Sequence, residues 1–328
     1  MRRLGTILAT ASLLVVAACG SSASDDEGAG PWTYKDDLGT SISLDHAPKR
    51  LLVQSSMAAA LTDLGLGDEI VGTFGPLKNA DGQPDSQVAG LDLGKAEDVT
   101  GGGEYGSIDL EKAASLKPDL VVTSAYLKSD LWYVNDATAK KLKQLAPILV
   151  VSFDGKTLPQ MLDSTERAAK ALGADVESET VRTAHDDFTA AADRVEKAGK
   201  ALGGKKILVG SPAKDVFYVS NPEVSPDLKY WRDQLKLPLV VPTKPDEGGY
   251  FQTLSWEKAD LYPADVFLYD DRVGKAGLAI LEDQPVFETL PAAKHKAYIP
   301  WTSVAPPSYR AYADIMNRLA TQLETYAG

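Results

Sequence analysis

The apolar positions of this chain fall in short runs that come in pairs. "KRLLVQS" (Lys49–Ser55) and "KKILVGS" (Lys205–Ser211) each set two basic residues before a three-residue apolar core and a closing serine. Runs of this length between polar residues fit buried parallel strands. "MAAALTDLGLGDEIVG" (Met57–Gly72) and "DLKYWRDQLKLPLVVP" (Asp227–Pro242) follow, and each predicts helix, turn and strand. Then a phrase recurs. "DLEKAASLKPDLVV" (Asp109–Val122) and "SWEKADLYPADVFL" (Ser255–Leu268) carry Glu, Lys and Ala in register. Each predicts a helix, ended by Pro118 or Pro263, and then a strand. "PILVVSF" (Pro147–Phe153) and "AYIPW" (Ala297–Trp301) read as closing strands, and Ser308–Tyr326 as a last helix. Strands alternating with helices predict parallel-rich sheets covered on both faces. Stated twice, the pattern predicts an α/β protein of two Rossmann-like lobes.

Between the halves, Thr157–Gly204 is rich in Ala, Glu, Lys and Arg. Val181, Ala184, Phe188, Ala191 and Val195 fall near helical spacing. With Asp175 as cap and Gly203-Gly204 as stop, the second helix here is expected to run about 27 residues, roughly 40 Å. A single long helix joining the lobes is the expectation. The resulting plan is a leader at 1–18, a tether at 19–31, an N-terminal lobe at 32–153, linker helices at 154–202 and a C-terminal lobe at 203–328.

Composition changes the picture mainly at the start. Met1-Arg2-Arg3 is followed by apolar and small residues from Ile7 to Ala18. This reads as a secretory signal, too short for a comfortable membrane span. Its end, "VAACG" (Val16–Gly20), resembles a bacterial lipobox, and Cys19 is the only cysteine. Lipid on Cys19 would anchor the mature chain on the outer face of the cell membrane and leave no thiol for a disulfide. "GSSASDDEGAG" (Gly20–Gly30) has no apolar face to bury and suits a flexible tether. The net charge of −12 becomes −14 once Arg2 and Arg3 leave with the signal. No basic stripe suggests nucleic acid.

Ligands of open α/β sheets bind beyond the carboxyl ends of the strands. Those ends and their facing loops carry Tyr105, Tyr126, Trp132, Tyr133, Tyr218, Tyr250, Tyr269 and Trp301, with Arg272 as the cation. A cleft of this kind suits a bulky, oxygen-rich, partly apolar ligand. Each aromatic reads equally as packing, and Arg272 as the partner of Asp270 or Asp271. Trp231 alternates with Leu228 and Leu235 at helical spacing and is assigned to the core. His46, His185 and His295 show no metal-ligand spacing. There is no G-x-S-x-G, H-E-x-x-H or Walker sequence, and "TGGGEYG" (Thr100–Gly106) lacks the Lys-Ser/Thr of a phosphate loop. The expectation is a binding protein rather than an enzyme. A lipid-anchored hydrolase is the rival class.

Two α/β lobes joined by one helix behind a lipobox resemble the substrate-binding proteins of iron-siderophore and cobalamin ABC importers. "SIDLEKAASLKPDLVV" and "TLSWEKADLYPADVFL" are similar to the most recognisable motifs of that family, and the likeness covers nearly all of the mature chain. The resemblance implies lobes that move little and a monomer that hands its ligand to a permease dimer driven by an ATPase. It implies that Glu111 and Glu257, one per lobe, dock onto arginine pockets of that permease. A ferric siderophore of hydroxamate type fits the aromatic cleft, with heme and cobalamin as alternatives. Iron would enter only inside the siderophore, with no cofactor of the protein's own. On the residues alone the phrase also reads as two helix starts, Asp109 and Ser255 being good N-caps with Glu111 and Glu257 in the first turns. The two readings are compatible.

Overall fold

Apolar runs of four to six residues cannot make helices long enough to bury themselves, and here they stack side by side as strands. The computed structural model describes residues 30–79, 81–102 and 105–327, so the leader, Cys19 and most of the tether lie outside the described residues. A hairpin opens the described chain, β1 (Trp32–Lys35) with β2 (Ser41–Leu44). The first lobe follows with β3 (Leu51–Gln54), α1 (Ser55–Asp63), β4 (Ile70–Phe74), β5 (Glu97–Asp98), α2 (Leu110–Ser115), β6 (Leu120–Ala125), α3 (Asp136–Leu145) and β7 (Ile148–Ser152). Its sheet runs β5-β4-β3-β6-β7, parallel throughout.

The linker is α4 (Leu158–Ala171) and α5 (Glu179–Ala201). At 23 residues, or roughly 35 Å, α5 is shorter than expected. The cap is Ser178, whose hydroxyl accepts the Val181 N–H. Asp175 instead accepts the Glu177 N–H at 3.0 Å and makes a turn before the helix. The expected face is the buried one, with Val181, Phe188, Ala191 and Val195 all in the core.

The second lobe contains β8 (Ile207–Pro212), β9 (Val216–Ser220), α6 (Pro226–Asp233), β10 (Phe251–Ser255), β11 (Val266–Asp270), α7 (Gly274–Glu282), α8 (Pro291–Lys294), β12 (Tyr298–Trp301) and α9 (Tyr309–Glu324). Its sheet, β10-β9-β8-β11-β12, departs from expectation at one edge, where β8 and β9 form an antiparallel hairpin and β10 returns after α6 to pair antiparallel with β9. The strand expected around Leu239 is reduced to a bridge with Ile207. Pro238 and Pro242 bracket that segment and remove ladder donors. β9 takes the vacated neighbour position beside β8. Gly210 permits it, because a Cβ there would stand 2.5 Å from the Tyr218 carbonyl oxygen.

The repeated phrase is also built differently in the two lobes. In the first, Asp109 caps α2 by accepting the Lys112 N–H at 2.9 Å. In the second, Trp256–Lys258 is a single 3-10 turn, and the Ser255 side chain caps no amide. The Trp256 ring stacks on Phe217 at 5.5 Å and its N–H reaches the Ala213 carbonyl at 3.2 Å. That anchorage draws the chain inward where a helix would have to continue. Nor do the prolines stop the helices, since α2 ends at Ser115, ahead of Pro118.

One apolar core passes through both lobes. Leu51 and Val53 of the first sheet, Val195 of α5, Val209 and Leu268 of the second sheet, and Met316 and Leu319 of α9 belong to it. Trp231, 1% exposed, is part of it as expected. Among the described residues no helix is long and apolar enough to cross a membrane.

Candidate ligand cleft

The carboxyl ends of β6, β11 and β12 converge, and so do the side chains just beyond them. From the first lobe, Tyr126 follows β6, and its ring meets Trp132 edge-on at 5.2 Å and Phe153 at 5.1 Å. Trp132 is fixed by its backbone, donating to the Ser124 carbonyl at 2.7 Å and accepting from the Thr123 hydroxyl at 2.9 Å. Tyr105 packs on Trp132 at 5.8 Å, and its phenol oxygen accepts the Tyr133 N–H at 2.8 Å. From the second lobe come Tyr250, Phe251, Arg272 and Trp301. A cavity of about 290 Å³ lies between these walls. A neighbouring one of about 380 Å³ shares Tyr126, Trp132 and Tyr250 and adds Tyr105 and Asp130. Burial foremost pushes the Tyr126 and Tyr250 phenols well above their ordinary range, so both stay neutral donors.

Six of the expected ligand residues therefore line one continuous cleft: Tyr105, Tyr126, Trp132, Tyr250, Arg272 and Trp301. Three do not. Tyr269 packs with Phe267 and Tyr298 on the opposite sheet face, because Asp270 points into the cleft and side chains alternate along a strand. Tyr218 stands behind Phe251, ring centroids 5.5 Å apart, and touches neither cavity. Tyr133 lies behind Tyr105 with centroids 5.0 Å apart.

Two residues are held differently from a plain ligand contact. Arg272 donates through Nε and Nη2 to Asp270 at 2.9 and 2.5 Å, a two-pronged pair that cancels its charge. Trp301 is only 5% exposed, and its indole N–H donates to the buried Asp227 at 2.7 Å. It is a wall held from behind. On its far side lies a third cavity of about 470 Å³, lined by Asp63, Ser86, Asp271 and Arg310. It is the largest of these three, yet only Trp301 among the cleft aromatics reaches it.

That cavity is where the lobes are pinned together. Asp271 accepts from Thr302 at 2.8 Å within its own lobe and from Ser86 of the first lobe at 3.1 Å. Asp63 accepts from Ser308 at 2.6 Å and Arg310 at 3.3 Å. Burial foremost raises the Asp271 carboxyl from 3.8 to about 6. A carboxyl raised in the folded state does not destabilise the fold while it is protonated, below about pH 4. It becomes a growing cost as pH rises through about 6, on the order of 2–3 kcal/mol at neutral pH. Asp271→Asn, which keeps an acceptor, is therefore expected to melt above the wild type at pH 7.5 and level with it near pH 4. Melting below the wild type at both pH values would show that the two hydroxyl bonds outweigh the burial of charge.

The glutamates of the repeated phrase are both exposed, Glu111 on the first turn of α2 and Glu257 on the 3-10 turn. Neither is in an ion pair with a described residue. The Ser255 hydroxyl first, then its own amide, hold the Glu257 carboxyl below its ordinary range.

Two α/β lobes on one core, joined by a long helix and facing each other across an aromatic cleft, define a solute-binding protein of the single-helix kind. The chain belongs to the periplasmic binding protein family, whose model matches residues 52–305. It is 35% identical to the ferric-siderophore receptor protein DesE of Streptomyces coelicolor, covering 89% of this chain and 98% of that one with a TM-score of 0.81. It is 28% identical to the iron(3+)-hydroxamate-binding protein FhuD of Bacillus subtilis, over 77% of this chain and 75% of the relative. The Fe(3+)-citrate-binding protein YfmC of the same organism is 24% identical over 86% and 83%.

Proposed function

We propose that this chain captures a ferric siderophore, of hydroxamate type, and delivers it to the permease of an ABC importer as a monomer anchored through lipid on Cys19. The observation that carries the reading is the cleft itself, where Tyr126 and Trp132 of one lobe oppose Tyr250 and Trp301 of the other around a single guanidinium. Aromatic faces suit the apolar skeleton of such a chelate, and phenol, indole and guanidinium donors suit its oxygens. The likeness to DesE and FhuD supports the same ligand class. A further relative, YhfQ of Bacillus subtilis, carries the name of an ABC transporter substrate-binding lipoprotein, which supports the anchor. Glu111 and Glu257 are assigned to the permease, one acidic contact from each lobe.

Titration of the mature chain, purified in detergent, with ferric hydroxamates is expected to quench tryptophan fluorescence saturably. At least one Kd should lie at or below about 1 μM, near −8 kcal/mol. A saturable response to heme or cobalamin, with none to a panel of ferric siderophores, would overturn the ligand assignment.

A further inference from the structure

Within the cleft, three buried polar atoms find no protein partner: Ser220 Oγ, Ser303 Oγ and Trp132 Nε1. All three belong to side chains that line the 290 Å³ cavity, and Ser220 is only 2% exposed. The polar side chains around them are committed elsewhere. Asn221 donates to the Gly249 carbonyl at 2.9 Å, and Ser225 donates to Asp227 at 2.8 Å. Protein interiors seldom leave buried donors unmatched, because losing water without gaining a partner is costly. A ligand offering oxygens at this depth would satisfy all three.

Charge narrows the ligand further. Among the described residues Arg272 is the one Lys or Arg lining either part of the cleft, and Asp270, 4% exposed, cancels it. The outer part adds Asp130 and Asp136. The cleft therefore has no surplus positive charge. An anion entering it would lose its hydration with no free cation to offset that loss. Ferric chelates differ on this point, since three hydroxamates neutralise Fe(III) whereas three catecholates leave a trianion.

Building on the ferric-chelate reading above, we propose that Ser220, Ser303 and Trp132 Nε1 hydrogen-bond the uncharged oxygens of the chelate's organic scaffold, while Asp270 screens Arg272 so that the cleft selects neutral or cationic ferric chelates over anionic ones. The serines recognise the ligand, and Asp270 sets its permitted charge.

The test titrates the mature chain in detergent with a neutral ferric trihydroxamate and a trianionic ferric tricatecholate. Wild type is expected to bind the neutral chelate at least 100-fold tighter. Ser220→Ala and Ser303→Ala should each weaken the neutral chelate about five- to tenfold. The free variants should melt no lower than wild type, since each change removes an unmatched hydroxyl. A merely structural serine would lower melting and leave affinity alone. Asp270→Asn should narrow the gap between the two chelates at least tenfold, in favour of the tricatecholate. The serine variants disturb no charge, so they decide the donor role even where Asp270→Asn fails to fold. Equal binding of the two chelates by wild type, or unchanged affinity in both serine variants, overturns this inference and leaves the proposed function standing. Absence of binding to either chelate overturns the proposed function itself.

Discussion

Cells carrying Glu111→Gln together with Glu257→Gln take up ferric hydroxamate at least tenfold more slowly, with ligand affinity and melting temperature unchanged. This is the expected result if the repeated phrase is a docking device. Both carboxylates stand in solvent and engage no cation among the described residues, so Gln costs the fold little beyond a weaker bond from Glu257 to the Ser255 hydroxyl. Asp109 still caps α2, and the turn at Trp256 is held by its own ring and N–H. What Gln removes is the charge that a permease arginine would meet. An arginine left unpaired at an interface weakens the complex severalfold. The two sites sit on different lobes and share no partner, so the single losses should multiply. The measurement is radio-iron uptake by cells bearing each variant, alongside melting and titration of the purified proteins. Normal uptake by a folded, ligand-competent double variant would return the phrase to a pair of helix starts.

Trp301→Phe is expected to cost about 2–4 kcal/mol of folding stability at pH 7.5. Asp227 is 3% exposed, and its carboxylate accepts from the Trp301 indole, the Ser225 hydroxyl and the Leu228 N–H. Burial already raises its pKa, and the indole bond opposes that rise. Phenylalanine fills most of the ring's space but donates nothing. The ionised carboxylate loses a partner, while the protonated form loses less. The penalty should therefore shrink as pH falls and Asp227 takes up a proton. Urea unfolding at pH 7.5 and pH 5 checks both the size and the trend. Equal stability of variant and wild type at pH 7.5 would refute the account. A weaker ligand affinity in Trp301→Ala consequently reports a damaged wall as much as a lost contact.

The lobes were legible because their strands are short, branched and apolar, and because the chain states the pattern twice. The buried face of α5 was legible from Val181, Phe188, Ala191 and Val195 for the same reason, while its start was misjudged because Asp175 and Ser178 both suit a helix start. The antiparallel edge made by β9 and β10 was hidden. Its partner choice depends on two prolines disqualifying Leu239 and one glycine admitting Tyr218, which no local periodicity reports. That hid Ser220 as well, since a serine at the end of β9 looks like loop in the sequence. Tyr269 failed for a simpler reason. Residue type suggested a ligand contact, but strand alternation had already given the inward position to Asp270.

The packing of α5 against α9 also bears on how the chain is made. Arg194 of α5 donates to Asn317 of α9 at 2.8 Å across 123 positions of sequence, and the apolar faces of the same helices share the core. During synthesis α5 emerges before α9, and the part of its apolar stripe that α9 covers stays open until α9 has been made. Contacts closed over such separations form late, and the first lobe cannot finish on its own what α9 must complete. A chain whose synthesis has not yet reached α9 thus stays short of this fold, with the apolar stripe of α5 open to any chaperone that binds exposed apolar surface.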